Sequence, residues 1–230
     1  MGVINVTPDS FSDGGRFYDH NAAVSQGEKL AAEGAAVIDI GGESTRPFSE
    51  PITVEEEIRR VVPVIEQLAQ RISVPISIDT TKAEVARRAL EAGASIINDV
   101  SALRVDPGIA MLAAESGTPL ILMHMLGDPK SMQVLPRYEN LLEEILTFLE
   151  DAVEKAEKQG VSRAKIIVDP GIGFGKTVSH NLLLIKHLQT FTRLDLPILI
   201  GTSRKAFIRK ILKDPHAQDI RHDLPVVENG

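Results

Sequence analysis

The stretch DPGIGFGK, residues Asp169–Lys176, follows the apolar run Ile166–Val168, and together they form the clearest strand-and-loop unit in the chain. A short run of branched aliphatic residues is typical of a buried parallel strand. An acid at the end of such a strand, followed by three glycines, indicates a binding loop, because glycine lets the backbone approach a ligand closely. A nucleotide P-loop would need glycine where Pro170 stands, so the stretch carries no ATP signature. The alternative is that Asp169 only caps the following helix.

Short apolar runs alternate with amphipathic stretches along the chain. We predict strands at 2–6, 37–40, 76–78, 96–98, 120–123, 166–168 and 198–200. We predict helices at 21–33, 53–70, 81–92, from 106 onward, 138–159, near 182–188 and at 203–212. Capping boxes are expected where Thr53 precedes Glu56 and where Thr81 precedes Glu84. Strands that alternate with helices in this way favour a parallel sheet with helical crossovers.

The residues that precede the strands favour a closed barrel. Gly-Ala precedes the second and fourth strands, whereas Pro75, Pro119 and Pro197 precede the third, fifth and seventh. Such alternation is expected of the alternating layers of a (β/α)8, or TIM, barrel. A doubly wound sheet is the alternative, because periodicity alone does not show closure. We predict a single domain over residues 1–230, with an irregular tail at 213–230.

The composition is that of a protein with a large core and no polyanionic partner. Of its 230 residues, 43% are hydrophobic, and the formal net charge is −7. The sequence pI of about 5.4 argues against nucleic acid or an acidic membrane as the main partner. Cysteine is absent, which excludes disulfides, thiolate nucleophiles and zinc–thiolate sites. No membrane-length apolar run or signal-peptide pattern occurs, so we expect a cytoplasmic protein.

Polar residues cluster where the predicted strands end. In a parallel barrel these ends share one rim, so the residues are expected to face a common pocket. Two acids and an amide at this rim suit a flat ligand with several ring N–H and NH2 groups. Each could instead be a satisfied cap or turn residue, and Asp39 is interpreted as structural. The residues are Asn5, Asp39, Asp79, Asn98, His124, Asp169, Ser203 and Lys205.

Two long segments after the first and second strands, Thr7–His20 and Gly41–Ile52, are rich in Gly, Ser, Thr and Pro. Their length and composition suggest loops that cover a phosphate, with Arg46 in the second; ordinary surface turns are the alternative. Met123 is interpreted as pocket lining or core. In the basic helix that ends the predicted pattern, Lys205 is the residue expected to act, because it lies nearest the strand end.

Several motifs resemble those of the dihydropteroate synthase family. The eleven-residue stretch NVTPDSFSDGG, Asn5–Gly15, is similar to the family's first signature, and GESTRP, Gly42–Pro47, is similar to its second loop. Further matches occur in the same order at Ile78–Thr80, at Ile97–Asp99, in the Asp169–Lys176 loop and at Ser203–Lys205. The resemblance covers nearly the whole chain. It implies a TIM barrel that condenses p-aminobenzoate with hydroxymethyl-dihydropterin diphosphate to give dihydropteroate and pyrophosphate.

The resemblance also implies a role for each matched residue. The catalytic residues would be Asp169, Lys205 and Asp79, and Asn5 would help to hold Mg²⁺ with the pyrophosphate. An amide oxygen is a reasonable ligand for that hard cation. Other matched residues would line the pterin site or the p-aminobenzoate pocket, where sulfonamides compete, or would belong to the second loop. The implied substrate-binding residues are Thr45, Arg46, Asp79, Asn98, Val100, Met123, Asp169, Phe174, Ser203 and Lys205.

The sequence differs from the family at both ends. It begins at the first motif, and it ends at Gly230 without the family's further helix, its eighth strand with Arg-x-His, and its final helix. Arg221-His222 lies in a polar tail and does not match that motif. We therefore expect a chain that resembles a form truncated before the last βα unit; a natural, inactive short form is the alternative. The resemblance implies a possible homodimer, but the family's dimer contact uses late helices that this sequence does not include, so the resemblance leaves dimerisation open.

Two other functions remain open at this point. The pterin-binding barrel of corrinoid-dependent methyltransferases shares the fold and the acids that face the pterin. The SFSDGG stretch, Ser10–Gly15, and the pair Ser203 and Lys205 favour the synthase. The non-enzymatic alternative is a pterin-binding protein without turnover.

Overall fold

The computed structural model describes residues 1–7, 20–44, 50–127, 136–203 and 205–212. The strands are β1 (Gly2–Asn5), β2 (Ile38–Gly41), β3 (Ile76–Asp79), β4 (Ile96–Asp99), β5 (Leu120–Met123) and β6 (Ile166–Asp169). The helices are α1 (His20–Ala32), α2 (Val54–Ala69), α3 (Ala83–Glu91), α4 (Gly108–Ser116), α5 (Leu141–Lys158), α6 (Val178–Lys186) and α7 (Ala206–Ile211). Short 3-10 helices occupy Arg163–Lys165 and Leu188–Leu194. The tail predicted at 213–230 lies outside the described residues.

The strands form one parallel sheet in chain order, β1-β2-β3-β4-β5-β6. A doubly wound sheet reverses its strand order at a switch point, and this order contains no reversal, so that alternative is wrong. The segment predicted as a seventh strand makes a single parallel bridge, from Ile198 to Val168. Parallel strands that advance in one direction, with a helix between neighbours, are the arrangement of a (β/α)8 barrel.

One face of the sheet packs against the helices and forms the core. The strand register places one side chain from each strand in a continuous row on this face. Every member of the row is at most 1% exposed, and burial of such a side chain contributes about 1.5–3 kcal/mol. Because side chains alternate between the faces of a strand, the next residue of each strand faces away from the helices. The row is Ile4, Ile40, Ile78, Ile97, Leu120 and Ile166.

The helix starts differ in part from the predicted capping boxes. Thr53 accepts the N–H of Glu56 at 3.2 Å as expected, but the Glu56 carboxylate binds Arg59 and Arg60 instead of closing the box.

The box predicted at Thr81 is wrong. Helix α3 begins at Ala83, whose N–H donates to Asp106 Oδ2 at 2.8 Å. A carboxylate from the segment before α4 therefore replaces the local cap, and no spacing within α3 could reveal it. In the described part of the chain, no helix combines the length and the apolarity that crossing a membrane would require.

Candidate active site

Polar side chains occupy the face of the sheet that points away from the helices. The register aligns Asn5 with Gly41, Gly41 with Asp79, and Asp79 with Asn98. On the same face, between β5 and β6, Met123 is aligned with Asp169. Residues paired across parallel strands share a face, so the fold brings these predicted site residues to one rim at the ends of the strands.

Gly41 makes room within this row. A Cβ atom at Gly41 would lie 3.4 Å from Asp79 Oδ2, so the glycine leaves the space beside that carboxylate open. Burial raises the pKa of Asp79 well above its ordinary value, and the neighbouring acids Asp39, Glu57 and Asp99 raise it further. Because like charges surround Asp79, a ligand that donates hydrogen bonds or brings positive charge to this carboxyl group would be favoured.

Asn98 is oriented by Asp39. Asn98 is 9% exposed, and its Nδ2 donates to both carboxylate oxygens of Asp39 at 3.4 Å. Burial raises the pKa of Asp39 to about 6, against the opposing effect of the Asn98 bond. This contact supports the interpretation of Asp39 as structural, since its carboxylate is occupied by the amide of a site residue.

Asp169 combines burial with two nearby cations. It is 7% exposed, and its Oδ1 accepts the N–H of Gly171 at 2.7 Å. Burial raises the pKa of Asp169 to about 6, while the Gly171 bond, Lys205 and Lys176 act in the opposite direction. Burial lowers the pKa of Lys205, and Asp169 and Asp79 oppose that shift. The carboxylates of β3 and β6 and the ammonium of Lys205 thus act on one another across one site.

An apolar wall lies beside these charges. Val100, Met123 and Met125 form a buried cluster, and Phe174 packs against it. Lys205 Nζ lies 4.2 Å from the centroid of the Phe174 ring, within the range of a cation–π contact. The structure therefore brings Val100, Met123 and Lys205, which the family resemblance assigns to the pterin, next to Phe174, which it assigns to the p-aminobenzoate pocket.

The loop after β6 requires glycine at particular positions. Gly171 has φ of +71°, and a Cβ atom there would lie 1.9 Å from the carbonyl oxygen of His124. Gly173 has φ of +85°, and a Cβ atom there would lie 3.0 Å from Lys205 Cδ. The glycines thus let the loop lie against the end of β5 and let the Lys205 side chain reach the site.

The remaining predicted residues have a weaker structural basis. Asn5 is exposed at the end of β1, in register with Gly41, and Ser203 is exposed before α7. Thr45 and Arg46 lie outside the described residues. Within the residues that the structure describes, no three His, Cys, Asp or Glu side chains are grouped to hold a metal. Asn5 offers one oxygen, which suits Mg²⁺ only if substrate phosphates and water complete its coordination.

An ionic cluster beneath the second loop was missed by the sequence analysis. Lys82 Nζ contacts the carboxylates of Glu43 and, at 2.5 Å, Glu57, and Thr80 Oγ1 donates to Glu57 at 2.6 Å. Burial lowers the pKa of Lys82, but the bonds to Glu43 and Glu57 outweigh that effect and raise it. Lys82 follows the strand-end motif Ile78–Thr80, and this proximity was the only signal that the sequence offered.

Comparison with known proteins agrees with this geometry. Residues 1–227 match the family model described as pterin binding enzyme. The chain is 47% identical over 219 residues to the dihydropteroate synthase of Synechocystis sp., covering 95% of this chain and 76% of that protein. It is 46% identical over 212 residues to the Escherichia coli K12 enzyme, covering 92% and 75%. The chain belongs to the dihydropteroate synthase family.

Solved dihydropteroate synthases share the fold. The Xanthomonas albilineans synthase with 4-aminobenzoic acid is 45% identical, with a TM-score of 0.87, over 95% of this chain and 77% of that one. The same species' synthase in complex with 7,8-dihydropteroate is 42% identical, with a TM-score of 0.83, over the same shares of the chains. The Yersinia pestis synthase with a sulfonamide drug complex is 44% identical, with a TM-score of 0.87, over 95% and 79%.

Proposed function

We propose that this chain condenses 6-hydroxymethyl-7,8-dihydropterin diphosphate with p-aminobenzoate to give 7,8-dihydropteroate and pyrophosphate. The observation that carries the proposal is the shared rim on which Asp79, Asn98 and Asp169 face one apolar wall beside Lys205. Membership of the dihydropteroate synthase family supports the same reaction.

The heterocycle is recognised by its hydrogen-bonding edge and its flat faces. Carboxylates accept from ring N–H and NH2 groups, whereas Lys205 donates to the carbonyl side. Val100 and Met123, at 5% and 4% exposed, offer an apolar surface for one face of the ring. The buried polar groups favour a ring that pairs with them, because leaving them unpaired would cost free energy.

The reaction proceeds with departure of the leaving group first. The bond between the pterin methylene carbon and the diphosphate oxygen breaks, and its electron pair leaves with the pyrophosphate. Positive charge on the methylene carbon is shared with the pterin ring, where Asp169 and Asp79 stabilise it. The nitrogen lone pair of p-aminobenzoate then forms the new bond to this carbon, and the proton that the amine loses passes to solvent. Preorganised charge, not a covalent enzyme intermediate, supplies the catalysis.

A magnesium ion bound between Asn5 and the diphosphate would supply charge stabilisation for the leaving group. Asn5 presents a hard oxygen ligand at the β1 end, in the same row as Asp79, and the substrate would provide most of the coordination. Thr45 and Arg46 belong, by family resemblance, to the loop that closes near the diphosphate and p-aminobenzoate.

The p-aminobenzoate site is assigned to Phe174 and Ser203, next to Lys205. Phe174 packs on the apolar cluster and under Lys205 Nζ, so its ring is held beside the pterin position. The 4-aminobenzoic acid complex of the Xanthomonas albilineans synthase and the drug complex of the Yersinia pestis synthase support the same ligand classes here, with sulfonamides as competitors.

We also propose a homodimer. Leu182, Leu183 and Ile185 on α6 are 47%, 39% and 39% exposed, and such a patch favours association. Light scattering at micromolar concentration would detect twice the chain mass; a monomer under these conditions would contradict this proposal.

The deciding experiment is a pyrophosphate-release assay with the purified chain, Mg²⁺, pterin diphosphate and p-aminobenzoate. We expect release that requires both substrates and Mg²⁺ and that a sulfonamide inhibits competitively against p-aminobenzoate. Binding of pterin diphosphate without release would indicate a non-catalytic pterin-binding protein. Methyl transfer from methyltetrahydrofolate to a cobalamin carrier would indicate the methyltransferase instead.

A further inference from the structure

Lys176 is a buried cation that the proposed reaction does not use. It ends the loop after β6, is 4% exposed, and its ammonium group has two partners within the protein. Nζ lies 2.9 Å from His124 Nδ1 and donates to the Phe174 carbonyl oxygen at 2.9 Å. The side chain therefore joins the end of β5 to the loop residue whose ring forms part of the apolar wall.

His124 is itself fixed in place by its surroundings. Its backbone N–H donates to the Asp169 carbonyl at 2.9 Å, and its ring packs edge-on against Phe148 with centroids 4.8 Å apart. Tyr138, whose ring centroid lies 6.1 Å from that of His124, donates its hydroxyl to the Gly175 carbonyl at 2.9 Å. Lys176 thus attaches the loop to a rigid support.

The histidine ring acts as an acceptor here. Burial, with Lys176 and Arg104, lowers the pKa of His124 to about 2, so the imidazole is neutral. When Lys176 is in its ammonium form, which can only donate, Nδ1 accepts the bond and the ring hydrogen is on Nε2. The ammonium–imidazole bond is charge-assisted and belongs to the stronger class of hydrogen bonds.

Lys176 also adjoins the catalytic carboxylate electrostatically. Burial lowers the pKa of Lys176 to about 7, with Asp169 opposing that shift and Lys205 adding to it. In turn, Lys176 lowers the pKa of Asp169. Lys205, from the α7 side, acts on both Lys176 and Asp169. Asp79 of β3 acts on Lys205, and Arg104 acts on His124. Burial lowers the pKa of His180 on α6, and the charge of Lys176 lowers it further.

We propose that Lys176 is a positioning residue for the condensation: its bonds to His124 and to the Phe174 carbonyl hold the 171–175 loop in the geometry that places the Phe174 ring and the Asp169 carboxylate at the substrates. This proposal rests on the proposed function. It assigns a role in p-aminobenzoate capture to a side chain that does not touch either substrate.

The test compares Lys176→Met with the matched control Lys165→Met, which alters an exposed lysine outside the site. We expect kcat/KM for p-aminobenzoate to fall about tenfold in Lys176→Met, as for one charge-assisted bond. The acidic limb of its pH profile should move to higher pH, because Asp169 loses a stabilising cation. Lys165→Met should match the wild type in both measurements. Unchanged kinetics and an unchanged limb in Lys176→Met would overturn the proposal.

A double-mutant cycle with His124→Phe distinguishes an effect through the Lys176–His124 bond from a general structural effect of either substitution. If Lys176 acts through His124, the double variant should lose no more than Lys176→Met alone, since the second change removes a bond that is already absent. Losses that multiply would show that the two residues act independently, which would contradict the proposal. Thermal unfolding of each variant identifies any that fail to fold; in that case Lys176→Gln, which keeps a donor to the Phe174 carbonyl, replaces Lys176→Met in the comparison.

Amide hydrogen exchange separates this proposal from the proposed function. In the wild type, the Phe174 N–H donates to the Gly171 carbonyl and the Gly173 N–H donates to Asn181, so these amides report on the loop. We expect exchange of the 171–175 segment to accelerate about tenfold in Lys176→Met and not in Lys165→Met. An inactive wild type would remove the proposed function, yet accelerated exchange would still support the attachment of the loop. Unchanged exchange would reject that attachment whatever the activity.

Discussion

At Asp169, burial and neighbouring cations act in opposite directions on one carboxyl group. Burial has the larger effect and raises the pKa of Asp169 to about 6, although the charges of Lys205 and Lys176 lower that pKa. The ionised form is therefore held at a cost in free energy, and a cationic pterin methylene would relieve that cost in the transition state. The residue is better matched to the reacting substrate than to its own folded environment.

The first prediction concerns Asp169→Asn, which keeps the shape and removes the charge. We expect kcat to fall about 100-fold, as for loss of one preorganised electrostatic group, while the Kd of pterin diphosphate changes less than about tenfold. Steady-state kinetics and calorimetry give the two quantities. Asp151→Asn, at an exposed site on α5, serves as the control. A larger loss in binding than in kcat would show that Asp169 acts mainly in recognition.

The second prediction concerns stability and pH. A folded-state pKa of about 6, raised from 3.8, means that the carboxyl is easier to bury when protonated. The free-energy cost of burying the ionised Asp169 carboxylate is therefore absent below about pH 4 and reaches its full value above about pH 6. We expect Asp169→Asn to be more stable than the wild type by about 1–3 kcal/mol at pH 8, with the difference vanishing near pH 4. Urea unfolding at both pH values measures this, and equal differences at the two would be inconsistent with the assignment.

The element that shapes the site is the loop between β6 and α6, and its glycines differ in what they permit. Gly171 lies against backbone, since a Cβ there would meet the His124 carbonyl oxygen, whereas Gly173 lies against the flexible side chain of Lys205. Gly117, which follows α4 and lies outside this loop, has φ of +64° and no atom within 4 Å of an added Cβ. The three positions share a positive φ and differ in their neighbours.

These differences give the third prediction. Gly117→Ala should cost about 1 kcal/mol from backbone strain alone. Gly171→Ala should cost more than about 3 kcal/mol, because the carbonyl cannot move aside without breaking the β5 end. Gly173→Ala should fold nearly as well as Gly117→Ala but raise the KM for p-aminobenzoate, because Lys205 is displaced. Chemical unfolding and kinetics distinguish the three; comparable stability of Gly171→Ala and Gly117→Ala would contradict the close approach.

Strand order and most site residues could be predicted from the sequence because both follow from local rules. Apolar runs mark buried strands, and parallel strands bring their ends to one rim, so Asp79, Asn98 and Asp169 could be placed together. What the sequence could not give are the contacts between elements. Asp106 replaces the cap expected at Thr81, and Lys176 contacts His124, which lies 52 positions earlier in the chain. No spacing rule connects residues so far apart.

At the scale of the whole molecule, an ionic cluster joins α2 to the segments that follow β2 and β3. Lys82 contacts Glu57 of α2 and Glu43 beyond β2, and Thr80 beyond β3 donates to the same Glu57. The side chain of Glu57 is fully buried, and that of Lys82 is 19% exposed. Arg60 adds a bond to the Gly42 carbonyl at 2.8 Å. These contacts therefore fix the chain directly after β2, at Gly42 and Glu43.

The last prediction tests this cluster. Lys82→Met leaves the buried Glu57 without its cation, so we expect the free energy of unfolding to fall by about 2–3 kcal/mol at pH 7. This is less than expected for a fully buried ion pair, because Lys82 is partly exposed. Burial raises the pKa of Glu57, and Lys82 opposes that shift; without Lys82 the shift grows, so the loss should deepen as pH rises above the ordinary carboxyl range. Adding Glu57→Gln should recover most of the stability, because a neutral amide can keep the Thr80 contact. Urea unfolding of the wild type, Lys82→Met and the double variant from pH 5 to 8 measures these free-energy differences. If Lys82→Met loses the same free energy at every pH, or if Glu57→Gln deepens the loss, the lysine holds the elements together by packing and not by neutralising Glu57.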